Sequence, residues 1–167
     1  MNINININDL YNLTNKELFY HKIYKPEKIE NNIIYKNYTT LNLHDMPEEL
    51  KLFIKDVIIT IKLKYETKEI INNNYDINYI ASIFINVKEI QELINKITLI
   101  FTANYKKINE TTTQLSFIFN HDKKYIDDDI NPINKILFLI FANYIDNIVI
   151  PNIQKNYQNR LLDYISC

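Results

Sequence analysis

Glycine and tryptophan are absent from this chain of 167 residues, arginine occurs once, at Arg160, and the only cysteine is Cys167. Each absence removes a class of chemistry. Without glycine there is no phosphate-cradling P-loop, no GxGxxG dinucleotide turn and no GxSxG nucleophile elbow, because each needs backbone positions that a Cβ obstructs. One cysteine makes neither a disulfide framework nor a cysteine-ligated metal site within a chain. An excess of either charge sign is missing too, since 19 basic residues face 20 acidic ones for a net charge of −1. Binding to a nucleic-acid backbone is therefore not expected.

In their place stand 33 isoleucines, 26 asparagines and 13 tyrosines, a bias that reads as the codon usage of an A/T-rich genome rather than as function. The length predicts one domain over residues 1–167, able to bury a core without metals or disulfides. Met1 to Asn8 has neither a basic start nor a long apolar stretch, so no signal peptide is expected, and a cytoplasmic, reducing setting is the expectation. The apolar run Ile136 to Ala142 falls well short of the roughly 20 residues that cross a bilayer, so no transmembrane segment is predicted.

Hydrophobic periodicity supplies the elements. Ile3, Ile5 and Ile7 alternate with asparagines and predict a first strand over residues 1–8. Asp9 then caps a short helix with Leu10, Leu13 and Phe19 inward, ending before Pro26. Residues 31–42 have strand composition. Asp45, Pro47 and Glu48 form a helix start, with Leu50, Phe53 and Ile54 as its apolar side. From Asp56 to Thr67, Val57, Ile59, Ile61, Leu63 and Tyr65 alternate with Thr60, Lys62, Lys64 and Glu66, the pattern of a strand with one wet face. Asn72 to Asn74 predict a turn at positive φ, which asparagine tolerates better than other non-glycine residues. A strand follows over 77–86, one or two helical turns over 88–94, and then a hairpin. Ile97, Leu99, Phe101, Ala103 and Tyr105 share one face of it, opposite Leu115, Phe117 and Phe119. Asn131-Pro132 opens a long C-terminal helix, in which Pro151 predicts a kink or break.

Four segments carry a resemblance: MPEEL before the long strand DVIITIKLKYETKEI, the hairpin ITLIFTANYKKINETTTQLSFIF, and NPINKILF at the start of the last helix. With the order of elements, they make the chain similar to a divergent member of the START-like, or Bet v 1-like (SRPBCC), superfamily. The resemblance implies an α+β helix-grip fold, a curved antiparallel sheet around a long C-terminal helix; the family commonly has seven strands, and the periodicity here gives about six. It also implies a non-enzymatic binder or carrier of a lipid or other hydrophobic small molecule, with no cofactor. The implied cavity lining is Ile59, Ile61, Leu63, Tyr65, Tyr79, Ala81, Ile83, Leu99, Phe101, Ala103, Phe117 and Phe119 from the sheet, with Phe138, Phe141 and Ile145 from the helix. These side chains either enclose a ligand or fill the space as an ordinary core.

Polar constellations are sparse. His21, His44 and His121 stand far apart, and His44 beside Asp45 is the nearest acid–base pair, with Asp45 already serving as a helix cap. Asp127 to Asp129 lack the glycine and distal glutamate of a calcium loop. Lys62, Lys64, Lys106, Lys107, Lys123 and Lys124 are interleaved with Glu66, Glu110 and Asp122, a mixed-charge surface. No catalytic residue and no metal ligand is assigned. Ile58, Ile80, Phe84, Ile100 and Ile118 lie on the opposite parity to the lining, and as an outward apolar face they suit a covering helix, a homodimer or a protein partner. That supports an alternative reading, a protein-interaction module with a filled core.

Overall fold

The computed structural model describes residues 1–39, 58–86, 97–123 and 150–166, with isolated positions between the last three segments. The helix start at Asp45, the His44–Asp45 pair, Asp127 to Asp129 and Lys124 lie outside the described residues. Among the described residues seven strands, β1 (Asn2–Ile3), β2 (Lys28–Glu30), β3 (Ile33–Thr39), β4 (Ile58–Thr67), β5 (Asn74–Ile85), β6 (Ile97–Asn109) and β7 (Thr112–Lys123), form one antiparallel sheet in the order β1-β7-β6-β5-β4-β3-β2. Helices α1 (Ile7–Thr14) and α2 (Glu17–Tyr24) connect β1 to β2, and α3 (Ile150–Ile165) follows the sheet. The class is α+β, as expected.

The strand count of about six is corrected to seven by β2. Three residues are too few to show an alternation. They become a strand because Asn31 and Asn32, at φ 52° and 60°, fold Lys28–Glu30 back on Ile33–Tyr35. Asn72 and Asn73 repeat the device at φ 53° and 61° between Ile71 and Asn74, confirming the expected turn. Two-residue hairpins with both φ positive need side chains that tolerate the left-handed region, and without glycine asparagine is the residue left for the task.

The N-terminal strand is corrected as well. Pairing with β7 stops at Ile3, and the chain turns into α1 at Ile7. Asn6 is the cap: its side chain accepts from the Asn8 amide at 2.8 Å and donates to the Glu110 carbonyl at 2.9 Å. Alternation of Asn and Ile thus served two elements, since Ile3 on a strand and Ile7 and Leu10 on a helix are all buried. The single short helix expected after Asp9 is two, divided at Asn15 and Lys16. Before α3, Asp146 and Asn147 adopt the wider π turn just ahead of Pro151, which cannot donate a backbone bond.

Register places the parity. The rows Leu63–Ala81–Leu99, Tyr65–Tyr79–Phe101–Phe119, Ile77–Ala103–Phe117 and Tyr75–Tyr105–Leu115 run across neighbouring strands on one face. That face packs against the helices: Tyr11 of α1 meets Tyr75, Tyr20 of α2 stacks on Tyr65, and Tyr157 of α3 meets Phe117. The opposite face carries Ile58, Ile80, Phe84, Ile100 and Ile118, all exposed.

Candidate functional site

Tyrosine and phenylalanine make the layer between sheet and helices. Tyr75 stacks on Tyr105 at 4.6 Å between ring centroids, Tyr79 on Phe101 at 4.6 Å, and Phe101 on Phe119 at 5.5 Å. These pairs arise because cross-strand neighbours on one face of an antiparallel sheet stand close enough for rings to meet. From the helical side, Phe19 and Tyr24 approach Tyr157 edge-on at 6.0 and 6.4 Å.

The hydroxyls of this layer are held internally. Tyr79 donates to Tyr157 at 3.4 Å, and Tyr157 shares a further, short hydrogen bond with Tyr105. Tyr75 pairs with Thr14, and Tyr20 with Thr67, each at 3.1 Å. The Tyr24 hydroxyl is buried without a hydrogen bond of normal geometry. Burial pushes all of these phenols up from their usual pKa, Tyr157 to about 12, because a phenolate in an apolar layer forfeits its hydration. They are neutral donors at physiological pH, not bases.

Burial along this face is graded. Ile77, Tyr79, Ala103 and Tyr105 are sealed, whereas Ile61, Ile83, Phe117 and Phe119 remain only partly covered. Of the expected lining, the structure thus gathers Leu63, Tyr65, Tyr79, Ala81, Leu99, Phe101 and Ala103 into the closed core and leaves those four at a more open margin. Phe138, Phe141 and Ile145 lie outside the described residues, as does the side chain of Ile59.

Sequence reasoning missed Tyr20, Tyr24, Tyr75, Tyr105 and Tyr157 as members of this site. A signal existed for two of them. Tyr75 and Tyr105 share the parity of Ile77 and Ala103, and extending the lining by one row would have included both. Tyr20 and Tyr24 stand four apart on α2, the spacing of one helix face, but nothing local says which layer that face meets.

Polar chemistry elsewhere is slight. His21 lies exposed on α2, 3.3 Å from Glu17 one turn away, and Lys107 pairs with Glu110. Lys62 sits on the outer face between aromatic rings, 4.5 Å from the centroid of Phe84 and 5.6 Å from that of Tyr35. Among the described residues no group of three or more His, Cys, Asp or Glu could hold a metal ion, and no helix is long and apolar enough to cross a membrane. No family model matches the chain, and no curated protein matches its sequence.

Proposed function

We propose that the chain is a helix-grip, START-like protein that binds or carries a lipid or other hydrophobic small molecule between its sheet and its C-terminal helix, without catalysing a reaction. The observation that carries this reading is the graded face. Ile61, Ile83, Phe117 and Phe119 point to the helical side, yet stay partly uncovered while Ile77, Tyr79, Ala103 and Tyr105 on the same face are sealed. An apolar molecule bound at this margin would remove their surface from water, a gain of roughly 25 cal/mol per Å². The seven-stranded sheet supports the resemblance, since the superfamily commonly has seven strands. A catalytic role has less support, because the polar groups in the aromatic layer are mainly neutral tyrosine hydroxyls.

Native mass spectrometry of the full chain, purified without detergent, tests the reading. A stoichiometric apolar adduct that dissociates on activation is the expected result. A bare mass, together with no uptake of lipid from vesicles, overturns it.

A second reading rests on the other face. Ile58, Phe84 and Ile118 are 55%, 44% and 54% exposed, which is much apolar surface for one side of a sheet. In that reading the filled aromatic core is a scaffold, and the outer face meets a protein partner or a second copy.

A further inference from the structure

Register gives the outer face of the sheet an order of its own. Ile58, Ile80, Phe84, Ile100 and Ile118 are exposed there. Ile80 stands opposite Ile100, in the row Lys64–Ile80–Ile100–Asn120 that crosses β4 to β7. In the neighbouring row Lys62 is opposite Ser82 and Thr98 is opposite Asp122, and the alignment of Ala81 with Leu99 brings these two pairs to one level. That row is basic at its β4 end and acidic at its β7 end. The rings of Phe84 and Tyr35, with centroids 4.5 and 5.6 Å from the Lys62 ammonium, steady the basic end.

We propose that this face is the interface of a homodimer, in which two copies pack sheet on sheet about a two-fold axis parallel to the strands and midway between β5 and β6. The proposal rests on the second reading, commits it to a second copy of this chain as the occupant, and involves nothing on the inner face. Rotation about that axis lays β4 over β7 of the second copy and β5 over β6, so each row meets its own reverse. Ile80 then meets Ile100 of the second copy at the centre, and Lys62 lies over the Asp122 position, both contacts occurring twice by symmetry. A two-fold axis across the strands at the same level would instead lay Lys64 over Lys64, like charge on like charge. Packed sheets keep their strands within about 30° of each other, so only the central rows stay in step, and Glu66, paired with Lys68 at 2.7 Å, falls at the rim. The face from β4 to β7, about 19 Å wide and about 27 Å long between Ile58 and Glu66, covers about 500 Å². Two such faces bury about 1,000 Å², the lower end for a specific interface, so the dimer is a weak one.

Sedimentation equilibrium of the full chain, over concentrations from roughly 1 μM to 1 mM, tests the arrangement, with a monomer–dimer equilibrium expected for the wild type. Lys62→Asp sets acid against acid at both contacts, and Asp122→Lys sets base against base, so each variant alone should dimerise about tenfold more weakly. An equimolar mixture of the two restores an opposite pair at both contacts, and should recover wild-type affinity as a heterodimer. Ile100→Lys places a charge at the centre of the patch and should be monomeric with a melting temperature near that of the wild type, which keeps the test open if a charge reversal fails to fold. A wild type that stays monomeric throughout overturns the proposal and leaves the second reading with a different protein partner. A dimer that Ile100→Lys does not weaken lies on another surface and overturns the proposal together with a second copy at this face. Charge reversals without effect, or without recovery in the mixture, overturn the two-fold arrangement.

Discussion

Arg160 donates from Nη1 to the carbonyl oxygen of Ile23 at 2.6 Å, so the one guanidinium of the chain ties α3 to the last turn of α2. The last carbonyls of a helix have no partner within it, and a cation near that end also meets the negative end of the helix dipole. Arg160→Met keeps most of the apolar stem and removes the donor. It should lower stability by about 1.5–3 kcal/mol, the range for hydrogen bonds to charged groups, read from the urea midpoint at unchanged slope.

Asn73, at φ 61°, holds a left-handed position in the turn before β5. Asn73→Gly should raise stability by a few tenths of a kcal/mol, because Asn-Gly suits this turn better than Asn-Asn. Asn73→Val should cost about 1–2 kcal/mol, the penalty of a Cβ-branched side chain against the carbonyl in that region. Equal melting temperatures for the two variants would count against the turn.

Alkali should unfold the protein cooperatively. Tyr20, Tyr24, Tyr75, Tyr79, Tyr105 and Tyr157 all have pKa values raised by burial, and Tyr157 is placed at about 12. Their contribution is fully present below the unfolded value near 10. Above it the unfolded chain loses protons that the folded chain keeps, so stability falls by up to about 1.4 kcal/mol per pH unit for each such group. Circular dichroism and phenolate absorbance followed together from pH 9 upward should change in one step. Gradual phenolate formation before any loss of structure would show that the rings are not sealed.

Phe84→Lys with Ile118→Lys tests the outer face. Both side chains are substantially exposed, so the double variant should fold with a melting temperature within a few degrees of the wild type. Analytical ultracentrifugation of the two proteins then reads self-association. A wild-type dimer that becomes monomeric in the variant supports the second reading, and an unfolded variant would show that this face is core.

Parity was legible in the sequence wherever a strand is long. Leu63 and Tyr65 on β4, and Leu99, Phe101, Ala103 and Tyr105 on β6, are buried as their alternation predicts, with Ile58 and Ile100 exposed on the other side. The turn at Asn72-Asn73 was legible for a similar reason, since positive φ is a local demand on residue type. Alternation at the N-terminus misled because its period belongs to a strand only while a partner continues, and pairing with β7 ends at Ile3. The Asn6 cap then competes for the same residues.

By itself, then, the sequence determined the α+β class, the faces of the long strands and the left-handed asparagine turn before β5, all of which depend on neighbours within a few residues. Only the tertiary structure decided that Lys28–Glu30 is a strand, that α1 and α2 are separate, and that eight tyrosines from sheet and helices meet in one layer. Tyr79 and Tyr157 lie 78 residues apart, and the Met1 amino group and the Leu115 carbonyl it meets lie 114 apart. Contacts of that range depend on which faces the fold brings together, a choice set by the joint burial of all its apolar surfaces and not by any single segment.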